Sequence, residues 1–473
     1  MVFSSTLFLC FFLPAFLLLY FLLPYRFKNY LILLASIGFY AWGAPKFIFV
    51  VLGVLLIDYW LGNRIYESEQ RLKKIYLIAS ILLNVGMLFY YKYSNFFIEN
   101  VNEVLLLAGY SAISWTKIVL PIGISFFVFQ EMSYTIDIYR GEHAPLKKFS
   151  DYMLFIFLFS HLIAGPIVTY HVLADDIVDR RKKINANYRL AGFFRLMVGL
   201  GRKVLIANVL GEVADQVFNQ PVTQLTTADC WLGAFAYTFQ LYFDFSGYSD
   251  MAIGLGKLMG FDFPENFNNP YISQNITEFW KRWHITLGAW MRRYLYIPLG
   301  GNRVSEKRLY ANLITVFLLS GLWHGASWTF VLWGAYHGFF LICDRLFLDR
   351  LMVAVPRIFR VLLTFAVALI GWVFFRADSS SYAWAMLAQM FSFQSGTISF
   401  FLTHLQFSML LVAPAICAFA LLPGVELRQA SCYAVTGQIS TNLLRVALIV
   451  LLFALSLSFI TANSFNPFIY YRF

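Results

Sequence analysis

Long apolar runs separated by short charged loops dominate the chain. A helix needs about 20 apolar residues to cross the hydrocarbon of a bilayer. Runs of this kind lie near 4–24, 29–43, 46–61, 75–91, 117–135, 150–171, 191–210, 228–248, 309–323, 327–347, 358–375, 399–421 and 441–461. Several are short, and these are expected to be broken or tilted. The pattern predicts an all-α polytopic membrane protein. Bundled spans bury their faces against one another, so residues 1–473 are expected to form a single membrane-embedded domain.

Three places depart from simple alternation. The apolar run from Leu309 to Phe347 is too long for one span, so a turn or break is expected near His324. Residues 150–171 resemble one span, yet basic loops flank them on both sides. A re-entrant segment broken at Gly165–Pro166 reconciles the two, with its irregular backbone covered by protein or water. The third is 262–308, the longest stretch without a clear span. Within it, Ile276, Phe279, Trp280, Trp283, Leu287, Trp290, Met291 and Tyr294 recur at helical spacing. Lys281, Arg282, Arg292 and Arg293 fall off that stripe, and Pro298 stops the run. An amphipathic helix over 276–297, lying at the inner membrane face with tryptophans at headgroup level, is the expectation.

Composition supports the membrane reading. Of 473 residues, 60% are hydrophobic and 13% charged, against roughly 25% charged in soluble domains. The net charge of +11 does not point to nucleic acid, because the basic residues sit in short loops, such as Arg64, Arg71, Lys73 and Lys74, and then Arg180 to Lys183. That is the positive-inside bias. The first basic residue, Arg26, follows the first apolar run, the reverse of a secretory signal. A retained first span with its N-terminus outside is expected. The five cysteines include no CxxC, so neither a disulfide framework nor a zinc site is expected.

Among seven histidines, two stand out. His143, His171 and His404 lie in loops or near span ends and are read as solvated or interfacial. His161 and His337 lie in apolar runs and are read as satisfied buried side chains. His324, in "LLSGLWHGASW", is an ionisable group at membrane depth, which marks a functional site by default. Its neighbours Ser320, Gly321, Gly325, Ala326 and Ser327 are small, and small residues let helices approach or leave room for a ligand. The competing reading is a histidine that only bonds a neighbouring helix. His284, in "TEFWKRWHITLGAW", shares its segment with Lys281, Arg282, Arg292 and Arg293. These would attract a phosphate-bearing molecule from the cytosol, and would equally serve as membrane anchors. Asp244 and Asp250, in "DFSGYSD", either relay protons or cap helix starts; capping is the preferred reading. No P-loop, GxGxxG or GxSxG occurs.

The stretch "YFDFSGYSDMAIGLGKLMGFDFPENFNNPYISQNITEFWKRWHITLGAWMRRYLYIPLGGNR", followed by "LLSGLWHGASWTFVLWGAYHG", resembles the membrane-bound O-acyltransferase (MBOAT) family. The likeness is to its bacterial branch, which serves alginate acetylation and has cellulose and peptidoglycan relatives. It is dense over 237–345, the expected catalytic core, and extends upstream through "LPIGISFFVFQEMSYTIDIYRGE" and to the terminal "PFIYYRF". The resemblance implies a ring of about 11–13 transmembrane helices around short re-entrant helices that form a tunnel. It implies that the family's signature histidines are His284 and His324, the second catalytic. It implies acetyl-CoA as the acetyl donor, no metal, and transfer across the bacterial inner membrane to an exopolysaccharide or cell-wall polymer. A periplasmic SGNH-type acetyltransferase is the implied partner, alongside membrane lipid.

The chemistry fits. Transfer from a thioester to a hydroxyl needs a base near neutral pH, and imidazole serves. His324 is read as that base, with His284 binding or orienting the donor. Two other classes compete: a polysaccharide or proton-coupled transporter, with His324, Asp244 and Asp250 as a relay, and a structural anchor for a synthase complex.

Overall fold

The computed structural model describes residues 2–393, 396–422, 439–463 and 465. Among them every regular element is helical. Five helices are long and apolar enough to cross a membrane: Phe47–Glu67, Gln70–Leu107, Trp328–Met352, Arg357–Arg376 and Thr441–Ala462. Leu7–Leu22 and His404–Phe419 are shorter apolar helices. The terminal "PFIYYRF" and Cys432 lie outside the described residues, and the other four cysteines are free thiols.

Backbone contacts divide the chain into two compact units, 1–185 with 259–263, and 186–258 with 264–473. In the first unit, the segment expected to re-enter is broken. Helix Phe149–Phe157 has nine residues and Phe159–Leu162 has four. At 1.5 Å per residue neither is long enough to cross a bilayer. Irregular backbone follows, with Gly165 at φ +115°, before helix Tyr170–Val178. The basic loop after it is partly neutralised within the same unit. Lys183 pairs with Asp176 at 2.6 Å and Asp262 at 2.9 Å. The Arg181 guanidinium beside Asp179 holds that carboxyl well below the usual carboxylate range. His171 is half-buried, with Nδ1 3.1 Å from Asp137.

The second unit is built around helix Thr227–Met259, of 33 residues. Asp244 and Asp250 lie in its interior, so neither is a cap. Both are buried and ion-paired: Lys203 Nζ is 2.6 Å from Asp244, and Arg195 Nε donates to Asp250 at 2.9 Å. Arg202 also binds Asp250. Arg195 additionally grips Glu265, donating from Nη1 at 2.6 Å and from Nη2. The capping reading fails because these partners lie some 40 to 55 positions upstream, where local spacing carries no trace of them.

The continuous amphipathic helix expected over 276–297 is not formed. Two short helices, Ile276–Arg282 and Ile285–Met291, are separated at Trp283 and His284. Asn275 caps the first by accepting a hydrogen bond from the Glu278 N–H. The tryptophans do not lie at a headgroup surface. Phe279, Trp283, Leu287 and Trp290 are buried, and the Trp283 ring packs tilted against that of Trp372, centroids 4.7 Å apart. The apolar stripe is real, but it covers protein rather than lipid.

Candidate active site

His324 is the last residue of helix Glu306–His324. The chain then runs extended through Gly325 and restarts at Trp328. The overlong apolar run therefore breaks at the expected histidine. The break is tight. A Cβ on Gly321 would stand 2.2 Å from the Phe330 carbonyl oxygen, and one on Gly325 would stand 2.1 Å from the Phe330 ring. A Cβ on Gly334 would meet the Phe317 carbonyl at 2.4 Å. Gly321 and Gly334 let two helices touch backbone to backbone, and Gly325 lets the chain pass against the Phe330 ring. At these glycines the missing side chains serve close approach rather than space for a ligand.

His284 sits in the gap between the two short helices with φ +45°. Left-handed backbone is uncommon for a residue bearing a Cβ. Strain of this kind, of order 1–3 kcal/mol, gathers at functional sites. It turns the imidazole inward, where it is 1% exposed. Its ring centroid is 6.3 Å from that of His324. The two candidate histidines, 40 positions apart in sequence, thus lie side by side. Aromatic rings wall it: Phe245 at 4.7 Å from His284, and Trp323, Trp333 and Phe375 at 5.0, 5.2 and 5.1 Å from His324.

The hydrogen bonds fix the state of His284. Asn266 Oδ1 accepts from the Thr286 hydroxyl at 2.8 Å and from the Thr286 backbone N–H at 3.4 Å. The Asn266 amide donates to Ser249 Oγ at 3.0 Å. A backbone N–H can only donate, so the atom it meets is the amide oxygen. His284 Nδ1, 3.0 Å from that oxygen, must therefore carry its proton. Nε2 is left as the basic nitrogen, and it has no hydrogen-bond partner among the described residues. Asn266 follows Glu265, the residue gripped by Arg195. The chain Asp250–Arg195–Glu265 thus anchors the loop that sets the tautomer. Asn266, Thr286, Ser249 and Arg195 were not singled out by sequence reasoning. Asn266 falls within "PENFNNPY" of the long motif, but nothing in its spacing announces a histidine partner.

The four basic residues proposed for cofactor binding divide. Lys281 and Arg292 are exposed. Arg282 is committed to structure, bonding Glu278 at 2.9 Å and the Asn268 carbonyl at 3.1 Å. Arg293 is half-buried over the Tyr294 ring at 5.7 Å. His337 also corrects an expectation. It is fully buried, yet both ring nitrogens lack a hydrogen-bond partner among the described residues. It is packed instead against Trp280 at 4.9 Å and Trp333 at 5.2 Å.

Comparison with known proteins identifies the family. Residues 139–384 match the model of the membrane-bound O-acyltransferase family. The chain is 42% identical to the probable alginate O-acetylase AlgI of Azotobacter vinelandii, over 100% of both chains. It is 46% identical to the Pseudomonas aeruginosa protein of the same description, covering 89% of this chain and 81% of that one. Identity to the peptidoglycan O-acetyltransferase of Helicobacter pylori is 38%, covering 82% of this chain and 80% of the relative. With its apolar helices, the chain belongs to the membrane-bound O-acyltransferase family and is a multi-pass inner-membrane O-acyltransferase.

Proposed function

We propose that the protein passes an acetyl group from acetyl-CoA on the cytosolic side to a hydroxyl acceptor presented from the other side, for O-acetylation of an exopolysaccharide or cell-wall polymer. The observation that carries this reading is the pairing of His284 and His324, 6.3 Å apart in one buried aromatic site. The acetylase descriptions of the relatives support the acyl group. Alginate and peptidoglycan are the acceptors those descriptions name, and they support a polysaccharide acceptor here, with cellulose a further candidate.

In this reading His324 is the general base. It removes the proton from the acceptor hydroxyl as the oxygen attacks the thioester carbonyl. The tetrahedral intermediate collapses, the C–S bond breaks, and the imidazolium returns the proton to the leaving thiolate. No proton is gained or lost overall. Base catalysis of this kind contributes roughly 10²–10⁴-fold. His284 offers the lone pair of Nε2 to a hydrogen-bond donor and so orients a substrate. Exposed Lys281 and Arg292 offer positive charge to a phosphate-bearing donor. The immediate acceptor is either the polymer or a serine of a periplasmic SGNH-type partner.

The test is consumption of labelled acetyl-CoA by the purified protein. Hydrolysis or exchange of the label is expected. Polymer movement without acetyl-CoA turnover would favour a transporter instead.

A role for His284 in orientation makes Asn266 a positioning residue. Asn266→Ala frees Nδ1 and leaves a buried donor without a partner, which costs about 1–3 kcal/mol. Acetyl transfer is expected to fall ~10–100-fold on that scale, with kcat reduced more than thermal stability explains. Steady-state kinetics beside a thermal melt checks it. Unchanged kcat would remove His284 from the mechanism.

A further inference from the structure

The unit formed by 1–185 and 259–263 contains two carboxyl groups that the acyl-transfer chemistry does not use. Asp58 lies in helix Phe47–Glu67, and Glu131 in helix Ile124–Tyr139. Both are 0% exposed. Phe47–Glu67 is one of the helices long and apolar enough to span a membrane. Ser80 and Asn84, on the helix Gln70–Leu107 that also qualifies, face the same cluster and are equally buried.

Ser80 bridges the two helices, bonding Asp58 and Thr135, whose hydroxyl reaches the Glu131 carbonyl at 3.4 Å. The two carboxyl groups are near enough to repel one another, but their surroundings differ. Asp58 is supplied with donors. Ser80 Oγ lies 2.5 Å from its Oδ1, Tyr152 OH donates to Oδ2 at 3.4 Å, and Asn84 bonds it as well. Ser80 is in turn 3.0 Å from Thr135 Oγ1. Glu131 has none: neither Oε1 nor Oε2 has a hydrogen-bond partner among the described residues. The titratable groups around the pair are Tyr134 on the same helix as Glu131, and Tyr152 from helix Phe149–Phe157. Asp137, further along the Glu131 helix, is engaged with His171. No Lys, Arg or His pairs with Asp58 or Glu131 among the described residues.

An ionised carboxylate buried without a cation or donors carries a large desolvation penalty and neutralises instead. Two neighbouring carboxylates cannot both stay charged in such a place. A metal cation is the other way to neutralise them. The group of acidic and histidine side chains spaced to hold one, among the described residues, is Asp137, Glu142 and His171, and it includes neither member of this pair. The donors gathered at Asp58 are hydroxyl and amide groups, suited to an anion and not to a metal shell.

We propose that Asp58 and Glu131 form a proton-binding site inside the membrane, with Glu131 carrying the proton and Asp58 the negative charge. Ionisable groups at membrane depth commonly mark proton relays. This one has oriented hydroxyls on three neighbouring helices, through Ser80, Thr135 and Tyr152. It does not depend on the histidine chemistry.

Infrared spectroscopy of the purified full-length protein tests it. At neutral pH the C=O stretch of a protonated buried carboxyl is expected, shifting down in D2O. The band should be lost in Glu131→Gln and retained in Asp58→Asn. Replacing sodium by choline should leave it unchanged. A wild-type protein without the band at neutral pH overturns the proposal, even if the variants fail to fold. So does a band that survives Glu131→Gln, one lost only in Asp58→Asn, or one that sodium abolishes.

Discussion

Replacing His324 by alanine is expected to abolish polymer acetylation while the protein remains folded in the membrane. The side chain ends its helix, and the packing of the hairpin rests on Gly321, Gly325 and Gly334 against Phe330 and Phe317. Alanine removes the imidazole without disturbing those contacts. Loss of the base alone should lower the rate by roughly 10²–10⁴-fold. The readout is acetyl content of the polymer, with membrane abundance and monodispersity of the variant as controls. A folded variant with undiminished acetylation would remove His324 from the chemistry. His324→Gln separates packing from proton transfer, since it keeps bulk and hydrogen bonding but has no basic nitrogen. It should be as inactive as alanine.

The largest effect on stability is expected at Asp250. This carboxylate and Arg195 are each 2% exposed on their side chains, and Arg195 also holds Glu265. Breaking a buried ion pair costs about 3–5 kcal/mol. Asp250→Ala takes a carboxylate from both Arg195 and Arg202, while Glu265 still offsets part of the Arg195 charge. Asp250→Ala should therefore lower the melting temperature of the purified protein markedly. It should also loosen the loop that carries Asn266, so transfer is expected to fall in the protein that still folds. Lys281→Ala, at an exposed position, is the contrasting control for stability. A melting temperature for Asp250→Ala within error of the unsubstituted protein would show that the pair is not part of the fold's support.

Much of the architecture is legible from apolar run lengths. They give the helical class, the break at His324 and the irregular backbone at Gly165, but not the earlier break after Phe157. A run too long for one span, or flanked by basic loops on both sides, must bend somewhere. Less legible is what depends on distant pairing. Asp244 and Asp250 sit among Ser and Gly residues, and that local chemistry reads as capping. Lys203 and Arg195, which hold them in mid-helix, are visible only once the helical segments 186–207 and 227–259 are packed. The helical spacing across 276–297 is real, but periodicity cannot reveal that His284 adopts a left-handed backbone. That single conformation splits the helix and turns the imidazole inward. Asn266 is hidden for a related reason. It is one of several asparagines in an irregular stretch, and its role comes from a fold that returns Ile285 and Thr286 to it.

The most direct measurement places the purified protein in vesicles with labelled acetyl-CoA on one side and a hydroxyl acceptor on the other. With His324 as base, label moves from acetyl-CoA to the acceptor with the unsubstituted protein, and the signal is lost with His324→Ala. Acetyl-CoA left intact by the folded, unsubstituted protein, or transfer that persists in His324→Ala, would contradict the assignment.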